Sequence, residues 1–277
     1  MEEIVYSIMS RYLGQHFLKN TSAINNIIDS LDLKTGDFII EIGPGKGALT
    51  IPLAKRCQEL DCHIVAIEKD YALAKELARK MTVGNGQLEI VNADALKKIP
   101  DLISQLTNEQ ISYKIIGNIP YYITGKLLRM ISELPQKPKK SVLTIQKEVA
   151  ERINAKTGRM NLLAAAVQIW ADSEIIKYLK ATDFEPAPKV ESAIIRLTTK
   201  KKMPVENEKL PNYYKFIKII FKQPRKTLAN NLSDGLEIKK TEITKKIINL
   251  GLRINSRPQD LTIKNIIDLI NLIQYPK

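Results

Sequence analysis

The sequence has little of what anchors a protein in a membrane or holds a metal ion. No apolar run approaches the roughly 18 uninterrupted residues that a membrane span requires, and the acidic start Met1-Glu2-Glu3 does not have the charge pattern of a signal peptide. The two cysteines and two histidines do not have the spacing of metal ligands. We therefore expect a cytoplasmic protein with no membrane partner, no metal site and no disulfide.

Acidic residues are scarce towards the end of the chain. The whole sequence has 43 Lys and Arg against 30 Asp and Glu, a net charge of +13. From Thr198 to Lys277 there are 17 basic and 7 acidic residues, so this segment carries most of the excess. Such a charge balance favours a polyanionic partner over a small metabolite.

The first buried strand predicts a nucleotide-binding fold. Phe38 to Ile42 is an apolar run that leads into Gly43-Pro44-Gly45-Lys46-Gly47, and a helical pattern follows from Ala48 to Arg56. This is the strand, glycine loop and helix of a doubly wound α/β sheet. The loop lacks the Lys-Ser/Thr pair of a phosphate-binding loop, which argues against ATP as the ligand. Its third glycine is not at the position that the dinucleotide-binding motif requires, which argues weakly against NAD.

Polar residues follow the predicted strands at one edge of this sheet. Glu68 comes at the end of the second strand, where a carboxylate accepts from two ribose hydroxyls. Asp94 follows the third strand and is predicted to accept from the amine of an adenine ring. Together with Gly43, Gly45 and Asn118, these residues fit a ligand with an amino acid, a ribose and an adenine, beside a reactive site. That ligand is S-adenosylmethionine.

The reactive site is predicted at Asn118-Ile119-Pro120-Tyr121, where the strand that begins at Tyr113 breaks into a turn. An amine on a nucleobase is a poor nucleophile, so an enzyme that alkylates it must hold its protons with acceptors. The side-chain oxygen of Asn118 and the carbonyl of Ile119, fixed by Pro120, provide two acceptors. Tyr121 provides a flat face on which the base can stack. The alternative is an ordinary strand-to-helix turn, for which Asn and Pro are common residues.

A proline-rich connector joins the last two predicted strands, Ser173 to Leu179 and Ser192 to Leu197. It is longer than a hairpin needs, which indicates a functional loop. Phe184 at its head is predicted to be a second stacking face for the base. The alternative is that Phe184 fills the core.

The best domain boundary is the charged, proline-containing stretch Lys200 to Pro211. Four helical patterns follow it, near Tyr213 to Phe221, Arg225 to Leu232, Thr241 to Leu250 and Leu261 to Ile273. The sequence has no internal repeat. We therefore expect a Rossmann-like α/β sheet with helices on both faces over residues 1–199, and a small all-α domain over residues 200–277.

Five segments in order resemble the ribosomal RNA adenine dimethyltransferase family, and the resemblance spans nearly the whole chain. These segments are Gly14-Gln15-His16-Phe17-Leu18, Glu41-Ile42-Gly43-Pro44-Gly45-Lys46-Gly47, Asn92-Ala93-Asp94-Ala95-Leu96, Gly117-Asn118-Ile119-Pro120-Tyr121 and Phe184-Glu185-Pro186-Ala187-Pro188-Lys189-Val190-Glu191-Ser192.

The resemblance implies two successive methyl transfers from S-adenosylmethionine to the exocyclic amine of each target adenosine. It also implies that His16, Leu18 and Ala95 contribute to the cofactor pocket. His16 stands where Asn is usual in the family, and Tyr122 stands where Asn usually follows the Tyr. We assign no role to Tyr122.

The resemblance further implies which RNA is the partner. The stretch from Arg225 to Leu232 resembles the housekeeping branch, which modifies adjacent adenosines near the 3′ end of small-subunit ribosomal RNA. Arg225, Lys226 and Asn230, together with Lys189, are the predicted RNA contacts of an expected monomer. A large-subunit enzyme of the macrolide-resistance type and a non-catalytic RNA-binding assembly factor remain the alternatives.

Overall fold

The computed structural model describes residues 15–81 and 87–275. Gly14, the first residue of the first resembling segment, lies outside the described residues. The chain divides into two compact units. The first takes residues up to Ala150 together with Ser173–Thr199, and the second takes Glu151–Asp172 and residues from Lys200 on. The expected boundary after residue 199 therefore coincides with a boundary between units, whereas Glu151–Asp172 is grouped with the helical unit.

The first unit is built on a seven-stranded sheet within the described part of the chain. The strands of the chain are Phe17–Leu18 (β1), Phe38–Ile42 (β2), His63–Glu68 (β3), Leu88–Asn92 (β4), Tyr113–Asn118 (β5), Lys140–Gln146 (β6), Ala171–Leu179 (β7), Phe184–Glu185 (β8) and Ser192–Thr199 (β9). The sheet order is β4-β3-β2-β5-β6-β9-β7. The strands from β4 to β6 in this order are parallel, and β9 runs antiparallel to β6. The predicted α/β class is confirmed.

Helices connect the parallel strands and form the second unit. They are Thr21–Ser30 (α1), Thr50–Leu60 (α2), Tyr71–Lys80 (α3), Ala95–Asn108 (α4), Thr124–Glu133 (α5), Lys147–Ile153 (α6), Leu162–Gln168 (α7), Leu210–Ile220 (α8), Leu228–Leu236 (α9), Lys240–Asn249 (α10) and Ile263–Ile273 (α11). Within residues 15–81 and 87–275, none of them is long and apolar enough to cross a membrane.

The central strands are continuous apolar runs because both faces of the sheet are covered. Ile39 and Ile40 of β2 and Ile115 and Ile116 of β5 are fully buried, as expected for parallel strands between layers of helices. β2 and β5 are neighbours although β3 and β4 lie between them in sequence. This is the point where the order of strands reverses, and a crevice forms there at the carboxyl ends of the strands.

Gly117 is what allows β5 to end close to β2. A Cβ at this position would lie 2.6 Å from the Ile42 carbonyl oxygen, which belongs to the backbone and cannot move aside easily. The Ile119 amide then donates to the Thr144 carbonyl of β6 at 3.1 Å. The turn from Asn118 onwards is therefore attached to strands on both of its sides.

A second, two-stranded sheet joins the start of the described chain to the proline-rich connector. β1 pairs antiparallel with β8, with Phe17 opposite Glu185 and Leu18 opposite Phe184. Asn20 caps α1 through its side-chain oxygen and donates from its amide nitrogen to Asp183 at 2.7 Å. The connector is thus a structured element that holds residues 17–20 against the sheet, and β7 and β9 on either side of it are neighbours as predicted.

Candidate active site

A cleft opens at the carboxyl edge of the four adjacent strands β4, β3, β2 and β5. It encloses about 840 Å³ including the part open to solvent, within the range of small-molecule sites. Its walls are residues of the strand ends and of the segment before β1, namely Gln15, His16, Phe17, Ile42, Gly43, Gly45, Ile67, Glu68, Lys69, Ala93, Asp94, Ala95, Asn118, Ile119, Pro120, Tyr121, Tyr122 and Ile123.

The orientation of the Asn118 side chain is fixed by a single hydrogen bond. Its Nδ2 donates to the His16 backbone carbonyl at 2.6 Å. A carbonyl can only accept, so the nitrogen of the amide must face it and the Oδ1 atom must face away. The Asn118 oxygen therefore remains directed as an acceptor for a donor that enters the cleft.

His16 contributes through both its backbone and its ring. The ring nitrogen Nδ1 lies 2.7 Å from the Pro186 carbonyl oxygen, which accepts and therefore requires a proton on Nδ1. The ring stacks on Tyr121 with centroids 5.8 Å apart and planes at 29°. His16 thus links the connector, the Asn118 amide and the Tyr121 ring.

Tyr121 is anchored at its hydroxyl. The Tyr121 Oη atom lies 2.7 Å from the Ser192 Oγ atom, and Ser192 is fully buried at 0% exposure. Burial raises the pKa of the Tyr121 phenol above its ordinary value, so the hydroxyl stays protonated at neutral pH. The hydroxyl pair holds the aromatic ring at the mouth of the cleft. Tyr122, to which no role was assigned, is 58% exposed.

Ile119 and Pro120 set the path of the backbone after Asn118. The Ile119 side chain is buried, and Pro120 has φ −54° and ψ 128°. Because the ring of proline restricts φ, the peptide that carries the Ile119 carbonyl has little freedom. This agrees with the predicted role of that carbonyl as a fixed acceptor, which stays a prediction.

Glu68 presents a buried carboxylate to the cleft. Its side chain is 3% exposed, and each oxygen accepts one backbone N–H, Oε2 from Gly45 at 3.0 Å and Oε1 from Asp70 at 2.9 Å. Burial raises the pKa of the Glu68 carboxyl, while these two N–H donors lower it. Each oxygen retains a lone pair that can accept from a ligand hydroxyl.

Glu41 lies in β2 just before the glycine loop and was not predicted as a site residue. It is 1% exposed, Thr50 donates to its Oε1 atom at 3.0 Å, and its Oε2 atom has no partner among the described residues. Burial, together with the nearby Glu68 charge, raises the pKa of Glu41 to about 8. Glu41 is therefore mostly protonated at neutral pH, which avoids two carboxylate charges in one low-dielectric place.

Asp94 and Ala95 form the wall of the cleft that follows β4, the strand furthest from β5 and Asn118 among the four strands at the cleft. The Asp94 Oδ1 atom caps α4 by accepting from the Leu96 amide at 3.0 Å, and its Oδ2 atom accepts from Lys69 Nζ at 3.0 Å. The Lys69 hydrogen bond lowers the pKa of Asp94. Ala95 is the first residue of α4 and is nearly buried, so the wall there is small and flat.

The glycine loop supplies a floor without side chains. Gly43 has φ +66° and Gly45 has φ +56°, a region that other residues adopt at a cost. A Cβ at Gly45 would lie 2.8 Å from the Phe17 ring. Lys46 Nζ lies 5.1 Å from the centroid of that ring, so Phe17 is held between the loop and the cleft.

These walls fit the three parts of S-adenosylmethionine. A carboxylate with free lone pairs suits the ribose hydroxyls, a flat wall with an acceptor suits the adenine, and a glycine loop with positive φ suits a close approach of the amino-acid part. Among the described residues, no group of three or more His, Cys, Asp or Glu side chains is placed to hold a metal ion.

Leu18 and Phe184 are not in the lining of the cleft, contrary to the prediction. Phe184 is 2% exposed and Leu18 is similarly buried. The two residues are paired in the small sheet and belong to the same hydrophobic core cluster. Successive side chains of a strand point to opposite sides, so Phe17 of β1 faces the cleft and Leu18 faces the core. The buried Phe184 ring has no free face on which a base could stack.

Three of the four predicted RNA contacts are exposed in the structure. Arg225, Lys226 and Lys189 are exposed, and Asn230 is half-buried. Arg225 and Lys226 do not lie in a helix as predicted, because Thr227 caps α9 through its side chain and the helix begins at Leu228. The helical periodicity that would place them one turn before Asn230 is therefore absent, and they lie in the turn that precedes α9.

Sequence patterns missed several residues of the site. Phe17 and Gln15 lie within the segment that resembled the family, and Lys69 directly follows Glu68, so their positions in sequence could have identified them. Ser192 is the last residue of the fifth resembling segment, so its position was also available. Its role was not, because that role depends on a hydrogen bond to Tyr121, 71 residues earlier.

The chain is similar to known proteins over nearly its whole length. The chain matches the family described as ribosomal RNA adenine dimethylase over residues 8–274. It is 37% identical over 268 residues to the ribosomal RNA small subunit methyltransferase A of Mycoplasma mycoides subsp. mycoides SC, which covers 95% of this chain and 97% of that protein. It is 34% identical over 260 residues to the protein of the same name from Dehalococcoides mccartyi strain CBDB1, with 94% and 87% covered.

Two solved structures share the fold. A dimethyladenosine transferase from Plasmodium falciparum superimposes with a TM-score of 0.79 at 24% identity, covering 94% of this chain and 98% of that one. The 23S rRNA methyltransferase ErmE superimposes with a TM-score of 0.72 at 23% identity, covering 93% and 99%. At these identities the likeness concerns the fold alone.

Proposed function

Because this chain belongs to the ribosomal RNA adenine dimethylase family, we propose that it dimethylates the N6 amines of two adjacent adenosines near the 3′ end of small-subunit ribosomal RNA. S-adenosylmethionine is the methyl donor. The support for the small subunit is that relatives 32–37% identical over most of the chain carry the name ribosomal RNA small subunit methyltransferase A. The reaction belongs to ribosome biogenesis, in the cytoplasm, and we propose that a single copy of the chain performs it.

The observation that carries this proposal is the orientation of the Asn118 amide. With Nδ2 committed to the His16 carbonyl, the Oδ1 atom accepts one proton of an adenine N6 amine, and the Ile119 carbonyl accepts the other. These two bonds draw the amine out of conjugation with the ring, so that its lone pair points towards the methyl group. When bound, S-adenosylmethionine would supply an electrophilic methyl carbon on a positively charged sulfur. The carbon–sulfur bond breaks as the carbon–nitrogen bond forms, which leaves a neutral thioether, and the methylated amine releases one proton to solvent.

The other residues of the cleft bind and orient. Glu68 accepts from the ribose hydroxyls, Asp94 and Ala95 hold the adenine of the cofactor, and Gly43 and Gly45 allow its amino-acid part to approach the backbone. Tyr121 stacks on the target base, which must leave its own stack to reach Asn118. We propose no direct contact of Phe184 with the base and no direct contact of the Leu18 side chain with the cofactor, since both are core residues.

The site is suited to a second transfer onto the same nitrogen. After one methylation the N6 amine still has one N–H, and a single acceptor is enough to hold it. Asn118 can keep that role because its oxygen carries two lone pairs and its nitrogen is occupied elsewhere. The product of the first transfer is therefore still a substrate.

The basic helical unit is proposed to dock on the ribosomal RNA. Arg225 and Lys226 are exposed cations in a turn, Asn230 follows in α9, and Lys189 lies in the connector of the first unit. Lys and Arg that neutralise phosphates displace condensed counterions, so binding of the subunit should weaken steeply as salt rises.

The experiment that tests this function uses isolated ribosomal subunits that lack the modification and labelled S-adenosylmethionine. The proposal predicts label in the small-subunit RNA and none in the large subunit. Label in the large subunit alone would identify a resistance-type enzyme. Binding to small subunits without any label would identify a non-catalytic assembly factor.

A further inference from the structure

The helical unit contains two further basic turns beside the one at Arg225 and Lys226. We define the three-turn surface as residues 154–160, 222–227 and 252–258. These segments hold seven Lys or Arg residues and no Asp or Glu, whereas the chain as a whole has 43 basic and 30 acidic residues. The seven are Lys156, Arg159, Lys222, Arg225, Lys226, Arg253 and Arg257, and all are exposed.

Backbone hydrogen bonds bring the three segments together, although they are far apart in sequence. The carbonyl of Gln259, the residue after the third segment, accepts from the amides of Gly158 at 2.8 Å and Met160 at 3.1 Å in the first segment. The amide of Leu228, the residue after the second segment, donates to the Ser256 carbonyl of the third at 2.8 Å.

Each segment is closed by its own turn, in which an amide donates to the carbonyl three residues earlier. The pairs are Arg159 to Lys156 at 2.9 Å, Lys226 to Gln223 at 3.0 Å and Ser256 to Arg253 at 2.9 Å. The backbone of these turns is therefore formed before any partner binds, and binding does not have to order it.

The buried side chain of Asn231 braces the middle turn from within the unit. Its Oδ1 atom accepts from the Gln223 amide and its Nδ2 atom donates to the Gln223 carbonyl, both at 3.0 Å. Nδ2 also donates to the Thr227 carbonyl at 3.2 Å. In the third turn, the Asp260 carboxylate accepts from the Arg257 amide at 2.8 Å, so the acid nearest in sequence to Arg257 is engaged with the backbone.

An apolar side chain is exposed in the third turn. Ile254 follows Arg253 and is 61% exposed. An exposed isoleucine among cations is suited to pack on a sugar or a base face while the cations meet phosphates, because nucleic-acid surfaces present both.

We propose that the three-turn surface is a preformed docking site for the phosphate backbone of folded RNA, and that Lys156 and Arg159 belong to it. This rests on the proposed function and extends it, since it assigns RNA contacts to a segment from the middle of the chain. The alternative is that these charges only solvate the surface. Seven cations in fixed turns argue against it, although Lys226 Nζ lies 3.5 Å from the Asp234 carboxylate of α9.

The test removes two positive charges at a time from three places. The first pair is Lys156→Ala with Arg159→Ala, the second is Arg225→Ala with Lys226→Ala, and the matched control is Lys239→Ala with Lys240→Ala. Lys239 and Lys240 are exposed and belong to none of the three segments; Lys239 precedes α10 and Lys240 begins it. The control therefore makes the same change of charge outside the three-turn surface.

Binding to isolated small subunits is measured between 50 and 300 mM salt (on the order of the physiological range). At about 0.1 M salt, each lost phosphate contact lowers affinity by about 8-fold and reduces the slope of log K against log salt by about 0.9. We expect this for the first and second pairs, and less than a 2-fold change in affinity for the control. Binding of S-adenosylmethionine and the unfolding temperature should stay unchanged in all three.

The outcomes separate this inference from the proposed function. If the Arg225 pair weakens binding and the Lys156 pair behaves like the control, the inference is wrong and the proposed function stands. If all three pairs weaken binding equally, only net charge matters and the three-turn surface is not a site. If the parent does not bind small subunits, the proposed function fails as well. Glutamine at both positions of the Lys156 pair gives the same measurement should the alanine pair unfold.

Discussion

Replacement of Asn118 by alanine tests the central contact of the cleft. The structure leaves the Asn118 oxygen free for the substrate amine because its nitrogen is bonded to the His16 carbonyl. Loss of one preorganised acceptor of this kind costs about 2.7 kcal/mol in the transition state, or on the order of 100-fold in rate. The variant also loses the hydrogen bond from Asn118 to the His16 carbonyl. Because that bond is present in the free enzyme too, its loss lowers the free energy of unfolding by about 0.5–1.5 kcal/mol and does not by itself lower the rate.

The assay is single-turnover methyl transfer to small subunits at saturating cofactor, with cofactor affinity measured separately by calorimetry. We expect the rate to fall at least 100-fold (on the order of one lost acceptor) while cofactor affinity changes much less. Asn92→Ala is the matched control, since Asn92 also ends a strand and donates to a carbonyl, that of Glu68, at 3.0 Å, but does not line the cleft. A near-normal rate for Asn118→Ala would refute the acceptor mechanism, as would an equal loss in the Asn92 variant.

Three further predictions concern Glu68 in the wall of the cleft and two buried residues outside its lining, Ser192 and Glu41. Glu68→Ala should weaken S-adenosylmethionine binding by roughly 1.5–3 kcal/mol, because two ribose hydroxyls lose a charged acceptor, and unchanged affinity in calorimetry would remove Glu68 from the site. Ser192→Ala should slow methyl transfer about 2- to 10-fold by releasing the Tyr121 ring, but have no further effect in a Tyr121→Phe background. Additive losses in that double-mutant cycle would show that Ser192 does not act through the hydroxyl. Because the pKa of Glu41 is raised to about 8, its contribution to stability is present below about pH 4.5 and is lost as pH rises through 8. Glu41→Gln should therefore unfold at a higher temperature than the parent at pH 9 but not at pH 5, and parallel pH profiles would contradict this.

The sequence was sufficient to predict the sheet and its polar edge. β2, β3 and β5 are short, mostly apolar runs that lead into Gly43, Glu68 and Asn118, as is usual for strands that helices cover on both faces. Gly43, Glu68, Asp94 and Asn118 all line the cleft as predicted, because the carboxyl ends of parallel strands meet at one edge. The roles assigned to these residues stay predictions.

Predictions of side-chain direction were less secure. Phe184 and Leu18 lie in segments that resemble the family, but the pairing of β1 with β8 decides which side chains face the core. Two residues of each strand are too few for an alternating pattern to be read from sequence. Arg225 and Lys226 were placed in a helix because no breaker separates them from Leu228, yet the Thr227 cap starts α9 after them.

Contacts between distant segments could not be predicted at all. Lys114 is the second residue of the mostly apolar strand β5, and its charge is matched by buried Asp37 at 2.5 Å. Within the helical unit, the Gln259 carbonyl accepts from the amides of Gly158 and Met160, about 100 residues earlier in the sequence. Such pairs follow from the folded arrangement and have no local pattern.

The most direct test of the proposed function is to determine the position and chemical form of the methyl groups on the RNA. Small subunits from cells without the modification are incubated with the protein and S-adenosylmethionine, and their RNA is digested and analysed by mass spectrometry. The proposed function predicts two adjacent N6,N6-dimethyladenosines near the 3′ end, and far slower formation of both when Asn118 is replaced by alanine. Methyl groups on a ring nitrogen, on a ribose or on large-subunit RNA would contradict it.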